Sequence, residues 1–351
     1  MNQTKKIKFS INPGTGCLSE EDARRYFSTV GLAVCALMLA VYLSSAAFTY
    51  LLYRFFPALL EHLAVTHALS LIPIYGIGLP IFCLILRRLP CGVPSGQPLS
   101  AWFLIGGFGV SIAMMSFGNT VSQFTIAFFE SMMGRVQENP VAEITEGAPW
   151  WINLIFVALI PCILEELLFR KILCDRLLPL GEGYAVVLSA AVFGLVHGNF
   201  FQFFYAFSVG LIFAMIYVKT GRIWVTMVYH GIINLLGGVL APWLLQKVAP
   251  AMDEAFLAKV EEYMAAENSE ALTELLSPLM LPMLGVLLYE ALMFVSIIVG
   301  IVFFFRRGRR MRLQSGLLPV PRSCRVSAVF LNAGVAAALT VFAGIFLLSL
   351  L

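Results

Sequence analysis

Apolar residues run along this chain in blocks of about twenty, separated by short polar and basic stretches. A block of that length, at about 1.5 Å rise per residue, matches the roughly 30 Å hydrocarbon core of a bilayer. Such blocks fall near 28–53, 64–86, 101–129, 150–173, 184–200, 202–218, 223–246, 279–305 and 326–350. The pattern predicts an all-α polytopic transmembrane helix bundle of about eight to nine spans.

The charges between the blocks orient it. Lys5, Lys6, Lys8, Arg24 and Arg25 precede the first block. Counting alternate connections places Arg87 and Arg88, Arg170, Lys171 and Arg176, Lys219 and Arg222, and the run Arg306, Arg307, Arg309, Arg310, Arg312, Arg322 and Arg325 on that same side. The acid-rich connections, 130–146 (from Glu130 to Glu146) and 253–274, fall on the other. Basic loops stay in the cytoplasm, so the expected protein is a multi-pass cell-membrane protein with its N-terminus cytoplasmic. Its regions are a cytoplasmic segment (1–26), N-terminal spans (27–149), a core (150–246), an extramembrane amphipathic segment (247–278) and C-terminal spans (279–351). The periodicity of 247–278 reads as a connecting surface helix, with a substrate lid as the alternative. No cleavable signal peptide is expected, because the first 26 residues are polar and the block after them is long enough to stay as a span.

Composition narrows the class. Of 351 residues, 60% are hydrophobic and 12% charged, and the mean hydropathy is +0.89. A soluble domain cannot hide that much apolar surface. A net charge of +3 with the basic residues at span ends excludes nucleic acid as a partner and leaves membrane lipids. The seven cysteines contain no CxxC pair and read as small membrane hydrophobes.

Against this background the block from Trp150 to Arg176 stands out, because it places Glu165 and Glu166 side by side after fifteen mostly apolar residues. A charge deep in a bilayer costs at least about 2.5–3.5 kcal/mol, so both carboxylates need partners. Arg170 lies four positions after Glu166, on the same helical face, and can pair with it. Glu165 is left to seek a partner on another helix or in water. Pro161, one turn earlier, removes the hydrogen bond to the Val157 carbonyl and predicts a kink beside the carboxylates. Of the four histidines, His62 and His67 read as interfacial, at the outer end of the second span. His197, one turn after Phe193, and His230, one turn before Asn234, lie inside apolar blocks. Each alone has a bland reading as interhelical glue. Together they favour an ionisable site. A carboxylate with an imidazole can deprotonate water, and a second imidazole with an amide can donate to an oxyanion. No G-x-S-x-G elbow and no HExxH is present.

Three motifs carry a family resemblance. EELLFR (165–170), FGLVH (193–197) and HGIIN (230–234) resemble, in order and spacing, the E-E-x-x-x-R, F-x-x-x-H and H-x-x-x-N motifs of the CPBP intramembrane proteases, which include the CAAX proteases. The resemblance covers about 150–244 and departs from the family at Lys171, where glycine often follows the arginine. It implies an intramembrane endopeptidase in which Glu165 and His197 activate water and His230 and Asn234 stabilise the oxyanion. Glu166, Arg170 and Phe193 would be supporting residues. The family label of metalloprotease makes zinc the alternative cofactor, held by Glu165, His197 and His230; the metal-free arrangement is preferred. The implied substrate is a peptide or membrane protein, with prenylated substrates defining one branch. From other classes, a non-catalytic scaffold or bacteriocin self-immunity protein with the same fold, and a proton-coupled transporter, are the alternatives. The transporter is disfavoured by the lack of a repeat.

By length, the site falls in the cytoplasmic half of its helices. His197, however, is 14 residues past Gly183, too deep for a helix that starts at the interface. The blocks 184–200 and 202–218 therefore read as a hairpin whose turn, at His197–Gly198–Asn199, lies inside the bundle.

Overall fold

The computed structural model describes residues 7–145 and 148–351. Lys5, Lys6 and Glu146, used above to orient the chain, lie outside the described residues. Among the described residues the regular elements are helices, with two isolated β-bridges between loops.

Seven helices are long and apolar enough to cross a membrane, eight if the bent C-terminal pair is one span. They are α1 (Glu20–Phe55), α2 (Leu63–Leu86), α3 (Ala101–Met133), α4 (Trp150–Leu180), α6 (Phe200–Thr220), α7 (Ile223–Val248) and α9 (Ser269–Arg306), with α10 (Arg322–Phe330) and α11 (Ala333–Leu348) meeting at a 50° bend. Between α4 and α6 lies α5 (Glu182–Leu195), and before α9 lies α8 (Glu254–Ala265). Helix starts follow local chemistry. Ser19, Ser100, Asn199 and Asn332 each accept a backbone N–H of the first turn through their side chains, satisfying donors that would otherwise be unpaired.

Three of the expected boundaries change. The block 184–200 is not a span: α5 has 14 residues, about 21 Å of helix, too short for the hydrocarbon core. It is the first arm of a hairpin. Gly198 takes a positive φ of 68°, a conformation open to glycine, and Asn199 caps α6 by accepting from Gln202 N–H. The two open ends of the hairpin meet where Glu182 pairs with Lys219, so its turn lies inside the bundle. The last block breaks at Asn332, whose amide donates to the carbonyls of Ala328 and Val329 while its oxygen caps α11. The segment 247–278 is not one unit either. Its first residues end α7, its middle is the exposed α8, and from Ser269 onward it belongs to α9, which runs on through Pro278 and Pro282.

Proline shapes the helices around the centre of the bundle. Ile72–Gly78, Leu154–Leu159 and Leu236–Leu240 are wide π turns, in which Leu79, Ile160 and Ala241 donate to the carbonyl five residues back. The next residue in each case is proline, Pro80, Pro161 and Pro242. A proline ring clashes with the carbonyl four residues earlier, and a widened turn relieves that clash. Thus α4 passes Pro161 as one helix with a π segment rather than the sharp kink expected. The peripheral helices pack through small residues: the backbones of Gly109 (α3) and Gly300 (α9) meet so closely that a Cβ on either would lie within 2.6 Å of the other helix's backbone atoms, a close approach typical of membrane helix pairs.

Candidate active site

Consecutive residues on a helix point about 100° apart, and α4 uses that difference. Glu166 faces the bundle interior and is fully buried, as is Arg170 one turn on. Arg170 Nε lies 3.0 Å from Glu166 Oε2, as the four-residue spacing predicts. Arg170 Nη1 donates to Ser189 Oγ on α5 (2.9 Å), and that hydroxyl donates back to the Phe169 carbonyl (2.9 Å). The guanidinium also sits over the rings of Phe193 (5.0 Å) and Phe213 (5.8 Å), a favourable cation–π arrangement. The buried charge therefore has partners on three helices.

The second oxygen of Glu166 reaches α7, where Oε1 lies 3.1 Å from His230 Nδ1. An N–H at Nδ1 donated to this carboxylate fixes the ring and leaves Nε2 on its far side. There Nε2 comes within 3.7 Å of Glu165 Oε2. Glu165, which its own helix leaves unpaired, thus finds an imidazole on another helix. The Tyr75 hydroxyl, from the π segment of α2, donates to Glu165 Oε1 at 3.4 Å.

His197 is held differently. Its Nδ1 donates to the Phe193 carbonyl one turn back (2.8 Å), which leaves Nε2 free. Phe193 meets the ring of His197 edge-on (5.3 Å) and that of His230 likewise (5.8 Å), so one aromatic side chain spaces the two imidazoles. Asn234 Nδ2 donates to the Val157 carbonyl at 3.0 Å. That carbonyl is the one Pro161 deprives of its helical donor, and Asn234 supplies the replacement from α7. One amide N–H of Asn234 remains.

Glu165, His197, His230 and Asn234 line one cavity of about 570 Å³. Phe193 also lines it, whereas Glu166 and Arg170 sit behind it. The wall opposite α4 and α7 includes Tyr75, Gln202 and Tyr205. His67 turns into the bundle: it is 4% exposed, stacks on Phe156 (5.2 Å) and faces the same cavity. His62 is exposed, as expected. The short helix Pro140–Thr145 also lines the cavity, held by Asn153 Nδ2 donating to the Thr145 carbonyl. α8 has no buried residue and does not cover the cavity.

Anchored Nδ1 atoms with free Nε2 atoms suit metal-ligating imidazoles. Glu165, His197 and His230 nevertheless do not come together as a ligand cluster, and among the described residues no group of three His, Cys, Asp or Glu does.

Tyr75, Ser189 and His67 escaped the sequence reading as site residues. Tyr75 had one signal, a lone tyrosine in an apolar block that two glycines and two prolines would distort. Ser189 had none, since a single serine in a membrane helix is commonplace.

Residues 147–236 match the family model described as type II CAAX prenyl endopeptidase Rce1-like. This segment therefore resembles a CPBP-type membrane-protease domain. The matched segment holds Glu165, Glu166, Arg170, Phe193, His197, His230 and Asn234, whereas Tyr75 and His67 come from a span outside it. The chain is also similar to YdiL of Bacillus subtilis (strain 168), named as a candidate membrane peptidase, with 27% identity over 44% of this chain and 64% of that protein. It is similar to the membrane-embedded CAAX protease MroQ of Staphylococcus aureus (strain USA300), with 32% identity over 24% of this chain and 36% of that protein. The chain therefore spans less than two thirds of the length of either relative. No solved structure matches it.

Proposed function

We propose that this protein is an intramembrane endopeptidase that hydrolyses peptide bonds at or within the bilayer. The observation that carries this reading is the convergence of Glu165, His197, His230 and Asn234 on one cavity between the membrane helices. The CPBP-type domain and the two membrane-peptidase relatives support it.

In the proposed reaction a water molecule sits between Glu165 and His197. They take its proton as its oxygen adds to the substrate carbonyl carbon. In this step His230 acts as an imidazolium: it keeps Nδ1–H on Glu166 and donates Nε2–H to the resulting oxyanion, together with the free N–H of Asn234. Collapse of this intermediate breaks the C–N bond, and the abstracted proton passes to the leaving amine. Glu166 fixes the His230 ring, Arg170 compensates the Glu166 charge, and Phe193 spaces the imidazoles. The substrate is a membrane-associated peptide or protein. Prenylated C-terminal peptides are the first to test, since they are what the matched family is named for. The charge pattern puts the N-terminus in the cytoplasm and the site nearer that face.

The test is cleavage of a peptide library, prenylated C-terminal peptides included, by detergent-purified protein. Glu165→Ala and His197→Ala should abolish cleavage while leaving thermal unfolding unchanged. Unfolding of both variants, or cleavage by both, would remove the assigned roles. A folded wild type that cleaves nothing would favour a scaffold or immunity protein on the same fold.

A further inference from the structure

A second concave surface lies away from the active-site cavity, between the ends of α2 and α4. It measures about 610 Å³ and brings together Arg87, Lys171 and Arg176 with Pro80, Leu84 and Ile172. Its level in the membrane follows from helix length. Lys171 lies 21 residues beyond Trp150, and Arg87 lies 24 beyond Leu63. At about 1.5 Å per residue these are roughly 32 and 36 Å, so both cations stand about one hydrocarbon thickness from the far ends of their spans. The groove is therefore at headgroup level. Its apolar wall, with Leu84 exposed, continues into the acyl region.

The charges in the groove do not cancel. Asp175 is the carboxylate present; it pairs with Lys171 at 2.8 Å and accepts from the Tyr217 hydroxyl at 2.8 Å. Arg176 gives one guanidinium N–H to the Leu89 carbonyl (2.7 Å) and keeps its other donors. Arg87 is exposed. Three cations thus face one carboxylate beside an apolar wall, with the shape and polarity of a phospholipid: an anionic head and an aliphatic tail. Lys171, the position where the chain departs from the family motif, points its ammonium here and takes no part in the active site.

We infer that the groove between α2 and α4 is a binding site for the phosphate headgroup of an anionic phospholipid, held by Arg87, Lys171 and Arg176. Lipid is preferred to a free phosphate because the site combines cations with exposed apolar surface at bilayer depth. A lipid bound there would bridge α2, which carries Tyr75, to α4, which carries Glu165.

The test needs no peptidase activity. Binding of phosphatidylglycerol and of phosphatidylcholine to the detergent-purified full chain is measured by native mass spectrometry, for wild type, for Arg87→Gln/Lys171→Gln, and for Arg306→Gln/Arg307→Gln as a control in the other basic cluster. Each cation near a membrane surface is worth about fivefold in affinity for anionic lipid. The groove variant should therefore bind phosphatidylglycerol about 25-fold more weakly, with the control variant at wild-type affinity. Inorganic phosphate at millimolar concentration should not displace the lipid. Phosphatidylcholine binding as tightly as phosphatidylglycerol, unchanged affinity in the groove variant, loss confined to the control variant, or displacement by inorganic phosphate would each overturn the inference.

Discussion

Nδ1 of His230 lies 3.1 Å from Oε1 of Glu166, a carboxylate whose other oxygen already holds Arg170. The second glutamate of the pair is thus the hinge of the site: it faces away from the cavity yet decides how His230 presents Nε2 to it. Glu166→Gln keeps the shape but replaces a charged acceptor with an amide, which weakens the hold on both the ring and the guanidinium. The expected outcome is a fall in kcat of about 100-fold with KM little changed, measured by steady-state kinetics on any peptide the wild type cleaves. A change confined to KM would contradict this positioning role.

Arg170 carries a structural burden that Glu165 does not. Removing it leaves Glu166 as an uncompensated buried charge and Ser189 without its donor. Breaking a buried pair from one side typically costs about 3–5 kcal/mol. Arg170→Ala should therefore lower the thermal unfolding midpoint in detergent and reduce membrane yield. Glu165→Ala, at a side chain 21% exposed to the cavity, should do neither. Equal destabilisation by both would contradict this division of roles.

Pro161 and Asn234 are coupled through one atom, the carbonyl oxygen of Val157. Asn234→Ala leaves that carbonyl without a donor, a loss of about 0.6–2 kcal/mol for a membrane helix bond. In a Pro161→Ala background the new backbone N–H can take over, so Asn234→Ala should destabilise less there. Thermal unfolding of the four proteins of this cycle should give a non-additive result. Strict additivity would mean that the amide does not act through Val157. Catalysis separates from stability here: Asn234→Ala should lower kcat by about 100-fold to 1,000-fold in either background, as loss of an oxyanion donor does.

Among the described residues, Tyr75 is the group outside the matched segment that hydrogen-bonds a candidate catalytic oxygen. Its bond to Glu165, at 3.4 Å, is long, as such bonds often are before substrate binds. Tyr75→Phe removes only the hydroxyl. A single modest hydrogen bond predicts about a fivefold to tenfold fall in kcat, with an unchanged unfolding midpoint. Full activity in the phenylalanine variant would make Tyr75 a wall of the cavity and nothing more.

What the sequence made legible follows from spacing. The partnership of Glu166 with Arg170 could be derived because four residues on a helix share a face. The freed Val157 carbonyl could be derived from Pro161. The buried turn after His197 could be derived from helix length alone, and the hairpin of α5 and α6 has that turn. What could not be derived lies between helices. The sequence leaves Glu165 seeking a partner, but only the packing of α7 and α2 against α4 supplies His230 and Tyr75. His67 looks interfacial by position along its block, and the packing of Phe156 against it at the cavity wall is not recorded in the sequence. The wide turns themselves arise from a local conflict between proline and the helix that is resolved by a change in hydrogen-bond register, which hydropathy does not record. Asn332 broke the last block for a similar reason: its side chain competes for backbone groups at bilayer depth.

The most direct measurement of the central claim is cleavage of a wild-type-competent peptide by purified protein and by Glu165→Gln, each with and without a zinc chelator. The account predicts cleavage by the wild type that survives chelation and is lost in Glu165→Gln, which folds like the wild type. Cleavage by Glu165→Gln at the wild-type rate would contradict the role of Glu165. Loss of wild-type cleavage on chelation, restored by zinc, would contradict the metal-free water activation and return Glu165, His197 and His230 to the role of metal ligands.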